Sequence, residues 1–355
     1  MSEPLGAPRD TAVDIGRGLA IVMIVLGHVL RGAAGAGLVS GGEPLFDELD
    51  SALYLVHLPV FAVLAGVFVG PSVRRAGAGP FLRRRALLFG WLYLVWTVLQ
   101  GAVKLLTGSL VNTPTSPAGV LRQLVAPDSQ LWWLGLVLLL SAAAALVRPW
   151  EGGARAWASG LVALVVSGLA WGHQGTYLFL QGLGLTAFFW AGAVAGTDGW
   201  RRATRGAPVV LVGGGLVAAV LLVLTDPMPP TSWTRGPDPT ALALGVVASV
   251  AGTGAVLAVG VLLARGPAAL SAVLTLLGRR SLEIYLAHIV ATAGARVVLL
   301  QLGVGDLTVH LLAGTVAGLV FPLALWWGAE RLHAPWLFRL PSRRPAPSTR
   351  EVAAP

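Results

Sequence analysis

The sequence predicts an all-α membrane protein with about ten transmembrane helices in one bundle and both termini cytoplasmic. Three observations carry that prediction. Hydrophobic residues make up 55% of the chain and charged residues 12%, whereas soluble domains carry about 25% charged residues, and the mean hydropathy is +0.77. Apolar runs recur along all 355 residues, with no polar block long enough to fold as a soluble domain. The cations follow alternate loops: with the N-terminus inside, 19 of the 25 Lys and Arg fall on the inner side and only Arg31, Lys104, Arg122 and Arg235 on the outer side. Arg17 and Arg296 lie within helices.

A hydrocarbon core about 30 Å thick takes about 20 apolar residues at 1.5 Å per residue. The first span, 13–30, follows Asp10 and Asp14 and carries Arg17 and His28, so it reads as a retained helix and not a cleaved signal. The second, 52–70, contains His57 and Pro59, where the proline frees a backbone carbonyl near the imidazole. The third, 86–106, follows the cluster Arg83-Arg84-Arg85. The fourth, 131–147, opens on Trp132-Trp133, and spans 156–171, 181–196, 208–224 and 241–264 follow. Gly213-Gly214-Gly215 lies inside an apolar span, so it reads as helix packing and not as a phosphate loop. The stretch 270–277 is too short to cross alone and reads as re-entrant or interfacial. The ninth and tenth spans are 281–302 and 308–329. Residues 1–338 thus form one membrane domain, and the Pro-, Arg- and Ser-rich stretch 339–355 reads as a disordered cytoplasmic tail.

Composition narrows the chemistry. There is no cysteine, which excludes disulfides, thiolate metal sites and an acyl-cysteine intermediate. The net charge of +9 is explained by topology and not by a nucleic-acid surface, because the arginines follow the loops without interleaved aromatics. No metal site is expected. One lysine against 24 arginines, with abundant Ala, Gly, Pro and Val, points to a GC-rich bacterial genome.

Ionisable groups inside a membrane helix each cost about 2.5–3.5 kcal/mol at the bilayer centre, so each needs a reason. Arg17 and His28 are eleven residues apart, which places them on one face of a helix about 16 Å apart in rise. Asp14, one turn before Arg17, is a natural partner for it. Arg83, Arg84 and Arg85 suit phosphate recognition or, equally, an orientation anchor. Near the C-terminus, Ser281, Tyr285 and His288 share a helix face, with Arg279 and Arg280 one turn from Glu283 on the other. Each feature alone also fits plain helix packing.

Together they resemble the acyltransferase 3 family of membrane proteins. The resemblance rests on Arg17-x10-His28, on His57-Leu58-Pro59-Val60-Phe61 with Ala65-Gly66, and on Leu277-Gly278 through Ser281-x-Glu283-Ile284-Tyr285-Leu286-Ala287-His288. Tyr93-Leu94-Val95-Trp96, Leu131-Trp132-Trp133-Leu134 and Phe188-Phe189 to Gly192 add to it, so it covers roughly residues 9 to 335. The chain departs from the family pattern at Ala65, often Ser, at Leu92, often Pro, and in lacking a later basic residue near Leu88.

The resemblance implies a ten-helix O-acyltransferase of the cell membrane, nearest to the compact fucose 4-O-acetylase-like branch. Its donor would be cytoplasmic acyl-CoA, usually acetyl-CoA, and its acceptor a hydroxyl of a carbohydrate, glycolipid or secreted small molecule. On that reading His28 and Arg17 are the catalytic pair: His28 is the general base, Arg17 holds a CoA phosphate or steadies the developing negative charge, and Arg83, Arg84 and Arg85 add phosphate contacts. Asp14, His57, Trp132, Trp133, Glu283, Tyr285 and His288 bind the acceptor or support the site. A multi-spanning transporter or flippase is the rival expectation, since buried ionisable groups also suit translocation. An inactive membrane scaffold is the third.

Overall fold

The computed structural model describes residues 10–39, 44–127, 129–173, 180–233 and 236–341. These residues form helices and turns with no strand among them. In chain order the helices are α1 (Thr11–Gly35), α2 (Pro44–Val67), α3 (Val69–Ala76), α4 (Ala78–Thr107), α5 (Pro117–Gln123), α6 (Trp132–Val147), α7 (Gly153–Leu169), α8 (Thr186–Ala203), α9 (Ala207–Leu224), α10 (Pro239–Leu263), α11 (Ala268–Arg279), α12 (Ser281–Gln301) and α13 (Leu307–Arg331).

Among the described residues, seven helical stretches are long and apolar enough to cross a membrane. The count differs from the ten expected for two reasons. Residues Leu180–Leu224 run on as one 45-residue helical stretch, which holds the two expected spans 181–196 and 208–224; α8 breaks within it at Gly196, whose φ of 56° is a left-handed value. Helices α6 and α7, with 16 and 17 residues, fall below the length that spans the hydrocarbon core untilted. The short stretch 270–277 is the middle of α11, a 12-residue helix packed on α1.

Asp10 caps α1 by accepting from the backbone N–H of Ala12 and Val13, and its other carboxylate oxygen accepts from Trp200 Nε1 at 2.8 Å. Helix α1 then runs through the centre of the bundle, against α2, α10, α11, α12 and α13. The crossing with α11 is made through two glycines. A Cβ on Gly278 would stand 1.7 Å from the Asp14 carbonyl oxygen and one on Gly18 would stand 2.2 Å from the Leu274 carbonyl, so α11 lies directly on the α1 backbone. Helices α2 and α8 meet in the same way, with Gly66 against the Phe189 carbonyl and Gly192 against that of Val63. Of the Gly213-Gly214-Gly215 run only Gly214 packs closely, against Ala251 of α10; a Cβ on either neighbour would meet nothing within 4 Å.

After α13 the chain turns back onto α4. Trp91 Nε1 donates to the Trp336 carbonyl and Trp96 Nε1 to that of Leu337, each at 2.8 Å. Arg339, placed in the tail by the sequence, pairs with Glu330 at 2.9 Å. Residues 342–355 of the expected tail lie outside the described residues, as do Arg9 and Arg235.

Candidate functional site

Two cavities meet inside the bundle. The first, of about 510 Å³, lies toward the C-terminal half of α1; His28, Arg31, Tyr54, His57, Gln130, Trp132 and His173 are among its lining residues. The second, of about 280 Å³, lies toward the N-terminal half and holds Arg17, Arg85, Phe61, Phe68, Phe89 and Ser281. Ile24, Leu58, Trp133 and Tyr285 line both and so form the shared wall.

Helical periodicity builds this arrangement. On α1, Arg17, Ile24 and His28 are spaced by seven and four residues and fall on one stripe, with Ile24 on the shared wall. On α2, Tyr54, Leu58, Phe61 and Ala65 form a second stripe that passes from one cavity to the other, and Phe68, the residue between α2 and α3, continues it. Helix α12 contributes Ser281 and Tyr285 one turn apart, and α4 contributes Arg85 and Phe89 likewise. Arg17 and His28 therefore share a face as expected, but they line adjoining cavities and not one groove.

In the imidazole-bearing cavity, His57 is buried and its Nδ1 donates to the Leu53 carbonyl, its own helix one turn back. A carbonyl only accepts, so Nδ1 carries the proton and Nε2 is bare. The carbonyl freed by Pro59, that of Leu55, is not the one the imidazole uses. Arg31 stacks its guanidinium 3.3 Å from the Tyr54 ring centroid and forms a two-bond fork to Asp50, both contacts at 2.7 Å. Tyr54 meets His57 edge-on, centroids 4.6 Å apart. Trp132 and Trp133 pack at right angles to each other at 6.0 Å.

In the basic cavity, neither Arg17 nor Arg85 forms a close ion pair with a carboxylate among the described residues, and Asp14 acts on Arg17 only as a more distant charge. Arg17 lies over Phe68 at 5.3 Å. Arg85 donates to Ser141 Oγ at 2.7 Å and sits 5.2 and 5.4 Å from the rings of Phe81 and Phe89. The arginine cluster is thereby divided: Arg85 faces the cavity, whereas Arg83 and Arg84 are exposed and line neither space.

One expected ion pair is corrected and another is narrowed to a single arginine. Asp14 does not pair with Arg17; it accepts from Arg279 Nε at 2.8 Å, because α11 crosses α1 at that level. Arg279 is thus withdrawn from Glu283, and only Arg280 pairs with Glu283, at 3.1 Å, while stacking on Trp326 at 3.6 Å. Glu283 lines neither cavity and ties α12 toward α13 instead. Tyr285 lies in the shared wall and donates its hydroxyl hydrogen to the Gln130 carbonyl. His288 is fully buried behind that wall, with its ring centroid 5.1 Å from that of His28.

Sequence reasoning missed Arg31, Asp50, Tyr54 and Gln130. A signal was present for three of them: Asp50, Tyr54 and His57 fall at i, i+4 and i+7 on α2, and Arg31 lies one turn after His28 on α1. Among the described residues no group of three or more His, Asp or Glu is gathered as a metal site would require.

Long apolar helices around two adjoining cavities that hold ionisable side chains define an integral membrane protein. The chain matches the acyltransferase 3 family model, described as an acyltransferase domain, over residues 10–327, and it belongs to that family. A nodulation protein, NolL, of Mesorhizobium japonicum (strain LMG 29417 / CECT 9101 / MAFF 303099) is 24% identical over 121 residues, a match covering 31% of each protein. The match therefore spans about a third of that relative's length. No solved structure matches the chain.

Proposed function

We propose that this acyltransferase moves an acyl group, acetyl in the simplest case, from cytoplasmic acyl-CoA to a hydroxyl of a carbohydrate, glycolipid or secreted small molecule. It would work as a ten-helix protein of the cell membrane with both termini cytoplasmic, in the compact fucose 4-O-acetylase-like branch.

The observation that carries this reading is the charge contrast between two cavities that share a wall. Arg17 and Arg85 face one cavity without any carboxylate on its lining. Such cations are costly in a bilayer, and the phenylalanine faces offset only about 0.5–2 kcal/mol each. A polyanionic ligand would offset the remainder, and the phosphates of CoA fit the guanidinium forks. In the other cavity the one arginine among the described lining residues is already neutralised by Asp50. The aromatic surfaces there, with Gln130, Gln181 and Ser129, suit an uncharged polyol.

With the phosphates at Arg17 and Arg85, the extended pantetheine arm would carry the thioester along the α1 stripe past Ile24 to the shared wall. The acceptor oxygen attacks the thioester carbonyl carbon as His28 takes its proton. The tetrahedral intermediate then collapses, the carbon–sulfur bond breaks, and the departing CoA sulfur takes the proton from His28. The new ester stays on the acceptor, and His28 is restored. No covalent enzyme intermediate is required.

The test uses purified protein in vesicles with acetyl-CoA labelled in the acetyl group and a cell-envelope glycan outside. Label should enter the glycan, and His28→Ala should abolish transfer without lowering protein level. Uptake of a solute without acylation would favour translocation instead and overturn the reading.

A further inference from the structure

His288 lies behind the shared wall, and neither cavity touches it. Its Nδ1 stands 3.0 Å from the Ile284 carbonyl and 2.8 Å from that of Tyr285. Both partners only accept, so Nδ1 carries the proton and the tautomer is fixed by the backbone of its own helix. Nε2 then holds a bare lone pair, and it is buried without any hydrogen-bond partner among the described residues. Buried acceptors are rarely left so, because an unmade bond costs about 1–3 kcal/mol.

Across the helix interface stands His28, which makes no hydrogen bond to any described residue. The two ring centroids are 5.1 Å apart and the planes tilt by 48°. Two imidazoles joined by an N–H···N bond of about 2.9 Å would span about that separation. As the rings stand the bond is not made, and forming it requires His28 to turn about its soft χ2 torsion.

We propose that His288 is a positioning residue: its Nε2 accepts the N–H of His28 and so turns the other His28 nitrogen, with its lone pair, toward the acceptor hydroxyl in the cavity. In the transfer step the same bond steadies the imidazolium that forms when His28 takes the proton. This inference rests on His28 acting as the base, and it assigns to His288 no contact with either substrate.

Two variants separate this role from packing. His288→Asn keeps an amide near the Nδ1 position and removes the Nε2 acceptor, whereas His288→Gln places a carbonyl oxygen near Nε2. In the full-length protein, His288→Asn should lower kcat by about tenfold or more with KM for acetyl-CoA and for acceptor unchanged, and His288→Gln should recover most of the rate. A second readout needs no turnover: diethylpyrocarbonate modification of His28, followed by mass spectrometry against exposed His333 as reference. The His28 rate should fall in His288→Asn and return toward wild type in His288→Gln. Equal His28 modification in all three proteins overturns the proposal. Equal impairment in both variants, or failure of both to fold, assigns His288 to packing and overturns it too. If the wild-type protein transfers no acyl group, the functional reading fails by itself, and the modification rates alone decide whether the two imidazoles are bonded.

Discussion

Asp14 and Arg279 are 265 positions apart in sequence and 2.8 Å apart in space. Their bond closes the α1–α11 crossing, where the Gly278 Cα lies against the Asp14 carbonyl. The Asp14 side chain is 9% exposed and that of Arg279 45%, so the two partners are not equivalent. Removing Arg279 strands a nearly buried carboxylate, while removing Asp14 leaves a guanidinium that reaches solvent. Arg279→Gln should therefore destabilise the solubilised protein by about 1–3 kcal/mol, and Asp14→Asn by less. Thermal denaturation followed by light scattering ranks the two; the reverse order would place Arg279 in another role.

The split of the arginine cluster gives a second prediction. Arg85→Ala should raise KM for acyl-CoA by about tenfold or more, the loss of one charge-assisted contact, with protein level and acceptor KM little changed. Arg83→Ala and Arg84→Ala should leave KM within about twofold, since exposed charges interact weakly across salt water. Initial rates against acyl-CoA concentration measure all three, and a large effect at Arg83 or Arg84 would move the donor phosphates to the exposed surface.

Hydrophobic length made the helices legible, because the bilayer sets a length that the apolar runs must match. It could not show that the runs of α8 and α9 join into one helical stretch, because the polar segment between them, with Asp198, Arg201, Arg202 and Arg205, reads as a loop although it is helical. Residues on one helix were read well: the Arg17–His28 stripe follows from 3.6-residue periodicity alone. Partners on different helices were not. Asp14 was assigned to Arg17 because the two are one turn apart, and only the α11 crossing shows that Arg279 takes it. His288 likewise gave no sequence sign that it would stand beside His28, 260 positions earlier in the chain.

The glycine crossings predict a contrast between positions of the same residue type. Gly66→Ala, Gly192→Ala and Gly278→Ala each drive a Cβ to within 1.7–2.1 Å of a backbone carbonyl oxygen, and backbone cannot swing aside as a side chain can. Each should cost about 1–3 kcal/mol or more and lower the yield of folded protein. Gly213→Ala meets nothing within 4 Å and should be neutral or stabilising, because alanine favours helix over glycine by about 1 kcal/mol. Yield and thermal midpoint of the detergent-purified variants test this. Tolerance at Gly278 would mean that α11 can lift off α1.

Arg31 and Asp50 carry the last prediction, which concerns the acceptor. The fork uses Nε and one Nη of Arg31, leaves further N–H groups on the cavity side, and cancels the charge that those groups would otherwise present. Lysine cannot reproduce a planar two-bond fork or stack as well on Tyr54. Arg31→Lys should therefore raise KM for the acceptor by about tenfold, at about 1.4 kcal/mol per tenfold change, with KM for acyl-CoA unaltered. Asp50→Asn keeps the guanidinium but unmasks its charge inside the cavity, so uncharged acceptors should bind less well while anionic ones gain relative to them. Competition between a neutral glycan and its carboxylated counterpart reads that shift directly. If instead Arg31→Lys raised KM for acyl-CoA, the donor and acceptor would have to exchange cavities, and the basic pair Arg17 and Arg85 would need a different ligand.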